Sequence, residues 1–278
     1  MCSATHRRTT RLAALLLLIM APALRAQNAD VSPDTVRAGR FDSGKMWTFE
    51  YAPSRYFTET YGFNADDQWF ERARMAALRI PGCSASFVSA NGLIVTNHHC
   101  ARGSVVQVSK PGENLLEDGF FAGSAAQERR IRGYYADQLI AIHDVSAEVF
   151  AASDRASDAD RQQARAAVFQ QIQQRLKQQH GSATDSIVVQ VVPLYAGGRY
   201  SAYVFRRFTD IRLVAAAELQ LGFFGGDSDN FTYPRYDLDF SFLRAYDKTG
   251  QPLSTPSYYT WSKQGVSEND VVFVIGNP

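Results

Sequence analysis

Cys83 and Cys100 bracket a stretch that reads as a β-hairpin. Residues 84–88 (Ser-Ala-Ser-Phe-Val) and 93–95 (Leu-Ile-Val) are apolar runs, with Asn91-Gly92 between them. An Asn-Gly pair so placed predicts a tight turn with φ > 0 at both residues. The returning arm runs straight into Thr96-Asn97-His98-His99-Cys100. A covalent tie across such a hairpin would fix its pairing and hold a histidine at the end of a strand.

Whether the cysteines pair depends on the compartment, and the N-terminus speaks to that. Arg7, Arg8 and Arg11 precede an apolar run over 12–21, and small residues follow up to Ala26. This is the pattern of a signal peptide over 1–26, with the run too short to span a bilayer. Its removal takes Cys2, four arginines and no acid, moving the formal charge from +1 to −3. Cys2 is also not placed like a lipid-modified cysteine, which would follow the apolar core. The mature chain is therefore expected to be exported, to the periplasm of a bacterium or beyond. No further long apolar segment follows, so no membrane association of the mature form is expected. Two cysteines remain in an oxidising compartment, which favours a Cys83–Cys100 disulfide. The near-neutral charge argues against a nucleic-acid partner, which usually demands a basic excess.

Along the chain, 27–43 reads as a flexible leader, and order is expected from 44 onward, where aromatic density rises. Residues 66–78 read as a helix with Asp66 and Asp67 at its positive end. The stretch 101–140 mixes turns with short apolar pieces, and Phe120-Phe121 looks like an aromatic anchor in a loop. Residues 138–142 and 145–149 read as strands. Residues 157–180 read as a long surface helix, with a Ser157/Asp160 capping box and Ala164, Val168, Ile172 and Leu176 on one face. Strands are expected over 187–192, 200–205, 211–214, 236–246 and 271–275. Many short strands without a βαβ rhythm predict a mainly β, barrel-like fold with inserted helices.

His99 is the candidate general base. A serine nucleophile needs an imidazole to take its proton, and the imidazole needs a carboxylate on its other nitrogen. A mount pinned by a disulfide suits geometry that tolerates little slack. His98 is then a packing neighbour. A zinc site of His98, His99 and Cys100 is unfavourable, because three adjacent residues cannot all reach one tetrahedral centre. No metal or cofactor is expected. For the acid, Asp239 fits at the start of an apolar strand, with Asp237 its competitor on the same face. Gly226-Asp227-Ser228 resembles a nucleophile motif, but Asp229 stands where a glycine is needed, so Ser228 is not expected to act.

These stretches resemble the N-terminal part of the bacterial dipeptidyl-peptidase 7 and 11 family of serine exopeptidases. The resemblance lies in Gly44-Lys45-Met46-Trp47, in 82–88, in Thr96-Asn97-His98-His99-Cys100, in 117–122 and in 225–244. It covers nearly all of the mature chain, 44–278. It implies a trypsin/chymotrypsin-like double β-barrel, with a helical domain inserted between the halves of the catalytic domain. It implies His99 as base. It selects Asp239 as acid through Pro234, Arg235, Asp239, Phe240 and Ser241, although Tyr236-Asp237-Leu238 departs from the family's usual run. It implies that Asn230 and Phe231 hold the free amino terminus of an oligopeptide substrate. Phe231 stands where the family has a tryptophan, which keeps an aromatic wall and loses an indole donor. The resemblance also allows a homodimer of the full-length protein.

The family's nucleophile serine, its oxyanion-hole glycine and its specificity residue lie far downstream of anything in these 278 residues. Without the serine no acyl-enzyme can form, so this polypeptide alone is expected to be inactive. Two rival readings remain open at this stage. One is a non-catalytic secreted β-barrel that binds peptides. The other is a metal-dependent hydrolase built on Asp227, Asp229, Asp237 and Asp239.

Overall fold

The computed structural model describes residues 46–181, 186–223 and 236–276. The expected signal segment 1–26 and leader 27–43 lie outside the described residues, as do Asp227, Ser228, Asp229, Asn230 and Phe231.

Helices α1 (Ser54–Tyr61) and α2 (Asp67–Ala76) precede strands β1 (Ala77–Ile80), β2 (Cys83–Phe87) and β3 (Leu93–Thr96). Helices α3 (His98–Val108) and α4 (Leu115–Asp118) lead to short strands β4 (Phe120–Phe121) and β5 (Arg129–Arg130) and to the long β6 (Ala136–Asp144). Helices α5 (Ser146–Asp154) and α6 (Arg161–His180) follow. Then come β7 (Ser186–Leu194), β8 (Arg199–Phe208), β9 (Asp210–Ala216), α7 (Leu219–Gly222) and β10 (Ser241–Tyr246).

Among the described residues, ten strands form one sheet in the order β4-β9-β10-β3-β2-β1-β6-β8-β7, with β5 also on β9. Every pairing is antiparallel. One end of this path turns back on itself. β9 pairs with β10, β10 with β3, β3 with β2, β2 with β1 and β1 with β6. The chain just before β6 returns to β9, through Arg129 and Arg130 and through the Ile131 N–H to the Ile211 carbonyl at 2.9 Å. The pairings and the 129–138 segment thus make a closed circuit of six strand positions. Inside it lies the first core, with Leu78, Ile80, Phe87, Ile94, Ile211, Leu213 and Leu243 all essentially buried. A second core forms where α5 and α6 cover β7 and β8, through Val149, Ile172, Leu176, Val189, Ala202 and Val204.

Several elements follow their sequence signals. Asp66 caps α2, its side chain accepting from the Trp69 N–H at 2.7 Å. Helix α6 buries Ile172 and Leu176 on the expected stripe and leaves most of its other positions at least partly exposed. The helix starts at Arg161 rather than at 157, so Ser157 and Asp160 are no capping box: Asp160 stands at the N-cap without a side-chain cap bond, and the two bond each other in the turn before it.

Other expectations are corrected. The hairpin loop is longer than a two-residue turn. Only Gly92 has positive φ, at 73°, while Asn91 does not. Asn91 is held by its neighbours: its N–H donates to Ser89 Oγ, and Arg244 donates to its side chain and carbonyl at 2.9 Å each. Gly92 is required by close approach as well, since a Cβ there would lie 2.7 Å from the Ala245 carbonyl oxygen. Residues 146–154 form helix α5 rather than continuing a strand from Val145. Asp144 Oδ1 accepts from the Ser146 N–H and hydroxyl, ending β6, and Val145 and Val149, four apart, bury together. Strand β10 begins at Ser241, not at 236. Residues 271–275 join no strand. Phe273 instead seats its ring against Phe57, Phe63 and Trp69, with centroids 5.1 to 5.4 Å away.

No helix among the described residues is long and apolar enough to cross a membrane.

Candidate active site

His99 does not sit on the end of a strand. It is the second residue of α3, which starts directly after β3, and 101–108 continues as helix where turns were expected. Asn97 is the residue at its N-cap. The reversal places two adjacent histidines on opposite sides of the first helical turn. His98 is fully buried, whereas the His99 side chain is about half exposed, at 47%.

Register brings Asp239 to His99. β10 runs antiparallel to β3 with Ser241 opposite Thr96. Residues just before Ser241 therefore face residues just after Thr96. Asp239 lands beside His99, with Oδ2 2.8 Å and Oδ1 3.1 Å from His99 Nδ1. The same carboxylate accepts from the His99 backbone N–H at 3.0 Å and from Asn97 Nδ2 at 3.0 Å. Asp239 thus occupies the N-terminus of α3, where unpaired N–H groups and the helix dipole favour negative charge. Asn97, which could have capped its own helix, turns its amide to the acid instead.

The carboxylate on Nδ1 fixes the ring. Nδ1 carries the proton toward Asp239, so Nε2 presents its lone pair. Asp237 makes no hydrogen bond to His99 among the described residues. Next to it, the Leu238 N–H is tied to the Leu221 carbonyl at 2.8 Å, which fixes the course of the backbone into Asp239.

Cys83 and Cys100 are bonded to each other, with Cα atoms 6.2 Å apart. Cys100 is the next residue of α3, so the bridge ties the helix start back to β2. A ring nitrogen of His99 and the two sulfurs lie within 4.8 Å of one another. With both sulfurs in the disulfide, no thiolate is left to bind a metal. His98, expected as a neighbour, donates from Nε2 to the Ala217 carbonyl at 3.1 Å. Burial pushes its ring below the ordinary imidazole value, against the opposing pull of that hydrogen bond and of Asp239. Sequence reasoning missed Asn97. Its signal was present, because Asn is a preferred N-cap residue, but no helix was expected to start there.

The arrangement is a protein of antiparallel sheet and helices that holds a histidine and a carboxylate in contact on a disulfide-anchored turn. Residues 41–278 match the family described as Peptidase S46, and the chain belongs to that family. It is 33% identical over 208 residues to the dipeptidyl-peptidase 7 of Capnocytophaga gingivalis, a match over 71% of this chain and 28% of that protein. It is 32% identical over 211 residues to the Asp/Glu-specific dipeptidyl-peptidase of Porphyromonas gingivalis, covering 71% of this chain and 29% of that one. The crystal structure of Porphyromonas endodontalis DPP11 in complex with substrate superposes with a TM-score of 0.62 at 28% identity, over 71% of this chain and 31% of that chain. The chain therefore spans less than a third of the length of these relatives. The family relationship expected from the motifs holds.

Proposed function

We propose that this chain supplies the base and the acid of an exported serine dipeptidyl-peptidase, which releases dipeptides from the free amino terminus of oligopeptides. The observation that carries the reading is the contact of 2.8 Å between His99 Nδ1 and Asp239 Oδ2, in a chain of the peptidase S46 family. In this reading His99 Nε2 takes the proton of a serine hydroxyl as its oxygen attacks the scissile carbonyl. Asp239 stabilises the imidazolium that forms and keeps the ring oriented. The imidazolium then gives its proton to the departing amine, leaving a dipeptidyl ester on the serine. Water, activated by the same imidazole, hydrolyses that ester. The serine is supplied by sequence other than these 278 residues.

Asn230 and Phe231 are assigned to the substrate's ammonium group. The amide carbonyl accepts from it, and the ring face attracts its charge. The six-position strand circuit around Phe87, Ile94 and Leu243 supports reading this part as the first barrel of a chymotrypsin-type double barrel, with the nucleophile on the second. That is also how the site sits at the junction of β3 and β10, whose far side would face the other barrel.

The test uses dipeptidyl fluorogenic substrates. Purified 27–278 should give no hydrolysis above buffer. A longer chain carrying the serine-bearing segment should hydrolyse them, and His99→Ala or Asp239→Asn in that chain should lower kcat by about 10⁴-fold. Full activity in the His99→Ala variant would overturn the assignment. Tight binding of peptides by a longer chain that never turns over would point to a peptide-binding protein instead.

A further inference from the structure

We infer that His98, the buried neighbour of the base, is a positioning residue that sets the distance between the backbones carrying His99 and Asp239. The inference rests on the base–acid reading above and adds to it a component that touches no substrate.

His98 is held on two sides by different elements. On the α3 side it is the first residue of the helix, so its ring fixes the rotation of the turn that carries His99. Its Nε2 donates to the carbonyl of Ala217, just past the end of β9. The bond sets the tautomer: Nε2 holds the proton, and Nδ1 is a bare lone pair. Nδ1 is buried against the Gly222 backbone.

On the other side lies Gly222, the last residue of α7. A Cβ at Gly222 would stand 2.5 Å from His98 Cγ and 2.6 Å from Nδ1, so the backbone of α7 rests directly on the imidazole face. Leu221, one residue earlier, accepts from the Leu238 N–H at 2.8 Å. Leu238 is the residue before Asp239. The path from the base to the acid thus runs through His99, the His98 ring, α7, one backbone hydrogen bond and Asp239. The hydrogen bond to Ala217 holds this side chain in place between two segments more than a hundred residues apart in sequence.

The anchoring matters because the His99–Asp239 contact has little slack. Two donors of α3, the His99 N–H and His99 Nδ1, converge on the same carboxylate at 3.0 and 2.8 Å. A shift of α7 or of the first turn of α3 breaks both at once.

The experiment separates positioning from mere support of the fold. His98→Phe keeps a flat aromatic ring, somewhat larger, and removes the donor. His98→Gln keeps an N–H donor that can reach the Ala217 carbonyl. The readout in the 278-residue chain is the low-field proton resonance of an imidazole N–H bound to a carboxylate, assigned to His99 by its loss in His99→Gln. His98→Phe should shift this resonance strongly or abolish it while the far-ultraviolet dichroism stays native, and His98→Gln should restore it. In a longer, active chain His98→Phe should lower kcat about a hundredfold with KM changed less than threefold, and His98→Gln should recover most of the loss. An unchanged resonance in folded His98→Phe overturns the positioning role. If His98→Phe does not fold, an unperturbed resonance in Gly222→Ala, which forces the same ring to move, overturns it equally. If wild type shows the resonance and the expected response but no longer chain hydrolyses peptides, the positioning role stands and the peptidase reading fails.

Discussion

At the scale of single residues, the site is a set of donors gathered on one carboxylate. Asp239 is only partly buried, with a side chain 24% exposed, so its orientation comes from hydrogen bonds rather than from packing. Asn97 supplies one of them and is not itself a reacting group. Asn97→Ala should therefore lower kcat of an active chain about tenfold through loss of orientation, with His99→Ala far more severe, as steady-state kinetics on the two variants would show. Gly222 is fixed by contact rather than by φ. Gly222→Ala should cost about 1–3 kcal/mol as the His98 ring is forced aside, measurable by urea unfolding. Two imidazoles also set the acid response. Burial lowers His98, with Arg102 adding to the effect. Burial likewise lowers His143, with His180 and Arg175 adding. Both rings are neutral in the fold, while the unfolded chain takes up protons below about pH 6.5. Stability should be fully present above that pH and fall as pH drops through it toward the folded-state values. Urea midpoints at pH 7.5 and 5.5 check the direction, and His143→Gln should flatten the change.

At the scale of elements, what the sequence disclosed and what it hid have physical reasons. The hairpin arms, α2, α6 and strands β7 to β9 are written locally, in period and in caps such as Asp66. Helix α3 was hidden because its start, Asn97-His98-His99-Cys100, reads as the end of a strand. Its N-terminus is satisfied by Asp239, a residue from the other end of the chain, and no local pattern announces a partner at that distance. The choice of Asp239 over Asp237 rests on a motif, and the register of Ser241 against Thr96 places Asp239 beside His99. The α3 start is also where the disulfide acts. Replacing Cys83 and Cys100 by serine should cost about 3 kcal/mol from loop-closure entropy, visible as a lower midpoint in guanidinium. Helix α6 is a separate lever, since it belongs to the second core. Leu176→Ala should cost about 2–5 kcal/mol yet leave the His99 low-field resonance in place in the folded fraction.

At the scale of the whole molecule, the sheet has two parts with different coverings. One is the strand circuit of β1, β2, β3, β10 and β9, closed through 129–138. The other is β6, β8 and β7 under α5 and α6. β6 belongs to both, and it carries the charge centre that links them. Asp137, buried, accepts from Arg79 on β1 and Arg207 on β8 at 2.7 to 2.9 Å. Removing only the acid would take the shared carboxylate from both guanidinium groups, leaving Arg79 on Gln190 and Phe205 and Arg207 on Tyr135, so Asp137→Ala should be destabilising, by about 3 kcal/mol, and a thermal melt would show it. The circuit has a temporal meaning as well. His99 appears early in the chain and Asp239, which orients its ring, 140 positions later. On a ribosome the first hundred residues emerge with an imidazole that nothing yet aims. Only when β10 slots between β3 and β9 does the ring acquire its direction. Until that strand arrives the pairing of His99 with Asp239 does not exist, so the order of synthesis delays completion of the site.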